Sequence, residues 1–197
     1  MIPDLEPMRP SDGVPAGGLD GWDAEPSWEG WRARVSVDRH KVTVRTRTGR
    51  AITHAVPGVA PFAVHHRGRL LLDGEVVPAT GRLVDFYGMA GDGVIGGASA
   101  VVFVAFDVLV DDELVIDEPY AVRRRRLEAI DLPGLVVGPS YRSDEAAALL
   151  AACRATGTED VVLKRADSPY LPGARTDAWR TAACSTWQAS ALAALAR

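Results

Sequence analysis

Trp31-Arg-Ala-Arg-Val-Ser-Val-Asp-Arg-His-Lys-Val-Thr-Val-Arg-Thr46 alternates apolar and polar side chains twice, with a short polar reversal between the two runs. Trp31, Ala33, Val35 and Val37 fall on one side, against Arg32, Arg34, Ser36 and Asp38; Val42 and Val44 resume the pattern after Asp38-Arg39-His40. A period of two, broken by a tight polar link, predicts two half-buried antiparallel strands. Outward from this hairpin, Leu70–Val77 and Ala100–Val110 are longer apolar runs rich in β-branched residues, and read as central strands. Glu159–Lys164 and Ala178–Cys184 read as two more. Pro119–Ile130 is predicted helical with its proline in the first turn. Ser143, followed by Asp144 and Glu145, predicts an N-cap for a helix running to about Thr156. Thr186–Arg197 reads as a closing helix. Residues 1–22 are rich in Pro, Gly and Asp without periodicity, and are expected to be an extended segment ahead of one domain over 23–197. Strands do not alternate with helices as in βαβ units, so the expected class is α+β, with antiparallel sheets flanked by helices.

Composition narrows the function. With 197 residues, 47% hydrophobic and 24% charged, the chain can bury a substantial core, which excludes disordered, collagenous and coiled-coil classes. No apolar run reaches the length of a membrane span, Asp107 interrupting the longest, and no secretory signal is visible at the start, so no membrane partner is expected. Two cysteines, Cys153 and Cys184, make no disulfide framework and predict a reducing, cytoplasmic setting, with Cys153 a packing residue. A net charge of −4 argues against generic polyanion binding; any nucleic-acid contact needs a local basic face. Of 22 basic residues, only Lys41 and Lys164 are lysines, so chemistry that needs a lysine amine has two candidates.

Three features imitate sites. Gly91-x-Gly93-x-x-Gly96 has the letters of a dinucleotide fingerprint, but it precedes a predicted strand, where no helix N-terminus waits for a pyrophosphate; a surface loop is expected. His65-His66 has no acidic or thiol partner at ligand spacing. Arg123–Arg126 is a basic run on a predicted helix, readable as a solvated face or, with Arg32, Arg34, Arg45 and Arg47, as a phosphate-facing stripe for duplex DNA in which Arg124 and Arg125 are the leading contacts.

Five further segments stand in one order: Glu25-Pro-Ser-Trp-Glu-Gly-Trp-Arg32, Leu72-Asp-Gly-Glu-Val-Val77, Val104-Ala-Phe-Asp-Val-Leu109, Glu159-Asp-Val-Val-Leu-Lys164 and Trp179-Arg-Thr-Ala-Ala183. Together they resemble the nucleotidyltransferase motifs of the adenylation domain of ATP-dependent DNA ligases, especially the bacterial type. Glu6-Pro-Met8, Thr46-Arg-Thr-Gly49, Pro119-Tyr120 and Asp167-Ser-Pro-Tyr170 with Gly173 and Arg175 extend the resemblance over about residues 5–185. It implies the nucleotidyltransferase fold shared with mRNA capping enzymes, ATP-grasp-like in layout. In that family a lysine of a Lys-x-Asp-Gly-x-Arg motif attacks the ATP α-phosphate. AMP then passes to a DNA 5′-phosphate and is displaced by a 3′-hydroxyl.

Carried over by position, the resemblance implies that Glu25 sits near the adenine amino group and Arg32 faces ribose and phosphate. Phe106 stacks on the base, and Lys164 reaches the α-phosphate. Glu75 would bind the ribose hydroxyls or a metal, and Glu159 would position Mg2+. The departures matter equally. Ser27 occupies the place of the nucleophilic lysine, Glu29 that of the aspartate and Asp160 that of a glycine; Thr181 and Ala183 replace a terminal lysine pair. The sequence runs to Arg197, and the OB-fold domain that closes on the nucleotide in the family is not expected within it. A serine needs a neighbouring base and would give a stable phosphodiester, a poor relay. The expectation is therefore a ligase-like domain deficient in lysyl-AMP formation, with weak ATP or AMP binding, duplex DNA binding or a repair-protein partner retained. The alternatives are an active enzyme helped by a separate OB-fold chain or acting on pre-adenylated ends, and an interaction module that uses the fold alone.

Overall fold

The computed structural model describes residues 1–28, 30–79 and 101–185. Its first half runs β1 (Arg9–Asp12), β2 (Trp22–Pro26), β3 (Trp31–Asp38), β4 (Lys41–Thr46), the short helix α1 (Phe62–His65) and β5 (Arg69–Pro78). The second half runs β6 (Val101–Asp111), β7 (Glu113–Leu114), α2 (Tyr120–Ala129), β8 (Val136–Val137), β9 (Tyr141–Arg142), α3 (Ala146–Thr156), β10 (Asp160–Arg165) and β11 (Arg175–Ala183).

The strands make two sheets. One has the order β1-β11-β10-β2-β9; the other is β4-β3-β5-β6-β7, with β8 added beside β6. Pairing is antiparallel except for β1 with β11 and β6 with β8, so both sheets are mixed at one short strand. The β3–β4 hairpin turns at Arg39, whose φ of 59° lies in the left-handed region. Ala33, Val35 and Val37 are fully buried with Val44, Leu70, Leu72 and Val76, and the polar residues of β3 lie on the opposite side, as the alternation predicts. Burying each such valine or leucine side chain is worth about 1.5–3 kcal/mol.

Two motif glycines are dictated by packing. A Cβ on Gly30 would stand 2.5 Å from the Val76 carbonyl oxygen, and one on Gly74 would stand 2.3 Å from that of Val104. Both neighbours are backbone and cannot move aside, so only glycine lets β3, β5 and β6 approach this closely.

Several predicted boundaries shift. The extended N-terminal segment contains β1, which pairs with β11, and its Met8 and Leu19 are buried. Ser143 does not cap α3; it starts a 3-10 turn over Ser143–Glu145, and the helix begins after Glu145 without a side-chain cap. Pro119 immediately precedes α2, which packs on β6. Glu29, the Gly91–Gly96 run, the first residue of the predicted 100–110 strand and the predicted 186–197 helix lie outside the described residues.

Candidate functional site

Strand register builds the site. In β10 and β11, Lys164 stands opposite Trp179 and Val162 opposite Thr181; on the other side of β10, Val162 stands opposite Glu25 of β2. Residues paired across strands share a face, so this sheet presents Glu25, Val162, Lys164 and Trp179 together or in successive rows. The six-stranded sheet answers with Arg32 opposite Glu75 and, on β6, Phe106. Pro26, Ser27 and Trp28, where the chain crosses from β2 to β3, and Pro10 complete the lining. The cavity between the sheets measures about 30 Å³. That is room for about two waters, against the roughly 300–1,000 Å³ of ligand pockets.

Mutual pairing keeps it closed. Lys164 Nζ lies 2.8 Å from Glu25 Oε2 and donates to the Phe106 carbonyl at 3.1 Å, with 1% and 3% of the two charged side chains exposed. The same ammonium is 4.3 Å from the Trp179 ring and 4.5 Å from the Phe106 centroid. Burial pulls the Lys164 amine below its ordinary value, and Glu25 opposes that shift. Glu25 Oε1 accepts the Tyr120 hydroxyl, and Arg124 Nη1 stands 3.6 Å away. Burial, followed by Glu25, holds the Tyr120 phenol well above its ordinary range. On the facing sheet the Arg32 guanidinium lies 4.5 Å from the Phe106 centroid and donates from Nε and Nη2 to the two carboxylate oxygens of Asp73, each at 2.7 Å. The ring expected to stack on a base is thus already approached by two cations.

Of the described substituted positions, Ser27 lines this cavity, and Asp160, Thr181 and Ala183 lie along the strands that lead away from it. Ser27 is tied by its backbone: its N–H donates to the Asp160 carbonyl at 2.9 Å, and its carbonyl accepts the Thr158 hydroxyl. Thr181 and Ala183 follow Trp179 at alternate positions of β11, and Ala183 stands opposite Asp160, so the strand face leading away from Lys164 carries a carboxylate and no ammonium. Among the described residues no histidine lines the cavity.

Of the residues singled out by sequence, Glu25, Ser27, Arg32, Glu75, Phe106 and Lys164 meet in one place. Glu159 does not join them. It is exposed, one residue before β10, and does not line the cavity. Among the described residues no cluster of three or more His, Cys, Asp or Glu could hold a metal ion. Of the two lining carboxylates among the described residues, Glu25 is engaged by Lys164 and Tyr120, so those described residues do not fit a ready-made Mg2+ site.

The arginine run splits as well. Arg123 is fully buried, gripping both carboxylate oxygens of Asp107 at 2.9 Å. Arg124, 7% exposed, bonds Glu128 and the Gly138 carbonyl; Arg126 pairs with Glu118 and Asp111. Arg125 alone of the four is exposed. Arg34 is also buried, with Asp4 as its partner. A continuous basic stripe with Arg124 at its centre is therefore not what α2 presents, because the run starts against the charged interior of β6.

Asp73, Asp107, Tyr120 and Tyr170 lie within segments that carry the resemblance, but the sequence did not show that they bond Arg32, Arg123, Glu25 and Asp73 respectively. Asp73 is fully buried and accepts the Tyr170 hydroxyl at 2.6 Å besides Arg32. The available signal was a lone aspartate inside each of two apolar strands, since a buried carboxylate must find a cation or hydroxyl.

Comparison with known proteins agrees with this fold. Residues 18–180 match the family model for the ATP dependent DNA ligase domain. The chain is 30% identical over 190 residues to the multifunctional non-homologous end joining protein LigD of Mycolicibacterium smegmatis, covering 89% of this chain and 24% of that protein. The crystal structure of the ligase domain of Mycobacterium tuberculosis LigD superposes with a TM-score of 0.75 at 30% identity, over 91% of this chain and 59% of that one. A mycobacterial DNA ligase D complexed with ATP and MES gives 0.73 at 30% identity, over 90% and 60%. The chain thus spans about a quarter of that curated relative and about three fifths of the solved ligase domains.

Proposed function

Because the chain belongs to the ATP-dependent DNA ligase domain family, we propose that it is an adenylation-type domain that forms no covalent nucleotide and holds adenine nucleotide weakly. The observation that carries this reading is that, where Ser27 stands in the place of the family's nucleophile, the Lys164 amine lining the same cavity is held between Glu25 and the Phe106 carbonyl. Attack on a phosphate needs an unprotonated, unencumbered amine, or a hydroxyl with a base beside it. Ser27 has neither an amine nor a lining histidine, and Lys164 is committed to a carboxylate.

For binding, Phe106, Glu75 and Glu25 are the groups that would hold a base and ribose, and Arg32 and Lys164 those that would meet phosphate. Entry requires separating Lys164 from Glu25 and moving Arg32 off the Phe106 ring. Asp160, Thr181 and Ala183 then offer the phosphates a carboxylate and two neutral side chains. Adenosine and AMP are therefore expected to lose less affinity than ATP. Calorimetric titration tests this: Kd values of roughly 10⁻⁴–10⁻³ M, about 4–6 kcal/mol, are expected for AMP, with ATP no tighter. Submicromolar ATP binding would overturn the reading.

A second reading rests on the assembly of Arg32, Glu75, Phe106 and Lys164. Sealing a DNA end that already carries AMP does not call on the nucleophilic lysine, so these residues could serve that step alone. Closure of a pre-adenylated nick by the chain, without ATP, is the result that would favour it.

A further inference from the structure

The two cysteines of the chain are 31 residues apart in sequence, yet their sulfurs are 3.1 Å apart. Cys153 is on α3, buried in the core cluster with Leu149, Val161 and Leu163; Cys184 follows β11 and is half-buried. Both backbones are tied to the same link between α3 and β10. Thr158 N–H donates to the Cys153 carbonyl at 3.0 Å, and Cys184 N–H donates to the Glu159 carbonyl at 2.8 Å. The thiols are thus held together by the scaffold and not by side-chain chance. Forming a disulfide bond of about 2.04 Å asks the sulfurs to approach by only about 1 Å.

We propose that Cys153 and Cys184 are an intramolecular disulfide site, oxidised by exchange with a small dialkyl disulfide. The Cys184 sulfur, the more accessible, attacks one sulfur of the oxidant, whose S–S bond breaks and releases one thiolate. Cys153 then attacks the Cys184 sulfur of the mixed disulfide, forming the internal bond and releasing the second thiolate. Two protein thiols are oxidised, one disulfide is reduced to two thiols, and the protons of Cys153 and Cys184 pass to the departing sulfurs. Burial pushes the Cys153 thiol up to about 12, and Cys184 adds to the shift, which fits Cys153 as the second attacker: capping Cys184 removes that addition. The bond would pin α3 to the end of β11 across β10, beside Thr158, whose hydroxyl supports the Ser27 carbonyl.

The test uses the whole chain with oxidised glutathione as probe, followed by iodoacetamide and intact mass measurement. The expected product has lost two hydrogens, takes up no iodoacetamide and melts about 5–10 °C higher than the reduced chain. Cys153→Ser should instead retain one glutathione on Cys184, and Cys184→Ser should take up none. Alkylation of both cysteines after oxidation, retained glutathione on the unsubstituted chain, or a disulfide-linked dimer as the main product would overturn the proposal. The unsubstituted chain decides the matter even where a serine variant fails to fold.

Discussion

Lys164 Nζ and Glu25 Oε2 meet at 2.8 Å in a space from which both side chains exclude nearly all solvent. Each partner comes from a different strand of one sheet, and the facing sheet contributes the Phe106 carbonyl and ring that cover the ammonium. The pair therefore joins the two layers where a nucleotide would have to enter.

Breaking that pair from the acidic side is expected to be severe. Glu25→Gln leaves the ammonium buried with only a carbonyl and aromatic faces, and should cost about 3–5 kcal/mol in denaturant unfolding. The amine, already lowered by burial, should fall further without the carboxylate. In the window below 10.5 the folded chain binds fewer protons here than the unfolded one, so stability should rise more steeply with pH in the variant. An unchanged midpoint would contradict the account of the closed site.

Arg124→Ala and Arg125→Ala should behave differently although the residues are adjacent. Loss of Arg124 removes the bond to the Gly138 carbonyl and the cation beside Glu25, and should lower stability by about 2–4 kcal/mol. Loss of exposed Arg125 should stay within about 0.5 kcal/mol. In a mobility-shift titration with nicked duplex, any salt-sensitive binding should respond to Arg125, with the salt slope reduced by about one. Equal thermal stability of the two variants would restore the exposed-stripe reading.

Alkaline pH probes the hydroxyl partners. Burial holds the Tyr120 and Tyr170 phenols well above 10.0, Glu25 and Asp73 being the charges that reinforce the shift. A folded pKa above the unfolded one gives stability that is fully present below pH 10 and lost as pH rises beyond it. Absorbance titration should show these two phenols ionising only with unfolding, and Tyr170→Phe should flatten the alkaline loss of stability. Ionisation of all phenols near pH 10 in the folded chain would contradict the buried bonds to Glu25 and Asp73.

Legibility in the sequence followed the physics of each signal. The β3–β4 hairpin was readable because one face of β3 buries apolar side chains and the other carries Arg32, Arg34, Ser36 and Asp38, which a period of two records directly. That six of the singled-out positions line one cavity was readable because motif spacing fixes which strand or strand end carries them. Asp73–Arg32 and Asp107–Arg123 were not, since a buried ion pair leaves a charge in each strand but no mark of which distant residue answers it. Glu159 stands apart from the cavity for a related reason: the motif places it beside β10, while its exposure depends on where that strand begins. β1 was hidden because four residues paired in parallel with β11 carry no alternation of their own.

The central claim is that Ser27 and a sequestered Lys164 leave no nucleophile for AMP. Incubation of the chain with ATP and magnesium or manganese, followed by intact mass measurement, tests it most directly. The account predicts a mass unchanged from the untreated chain. An added AMP moiety on any residue would contradict it, and the modified position would identify the nucleophile.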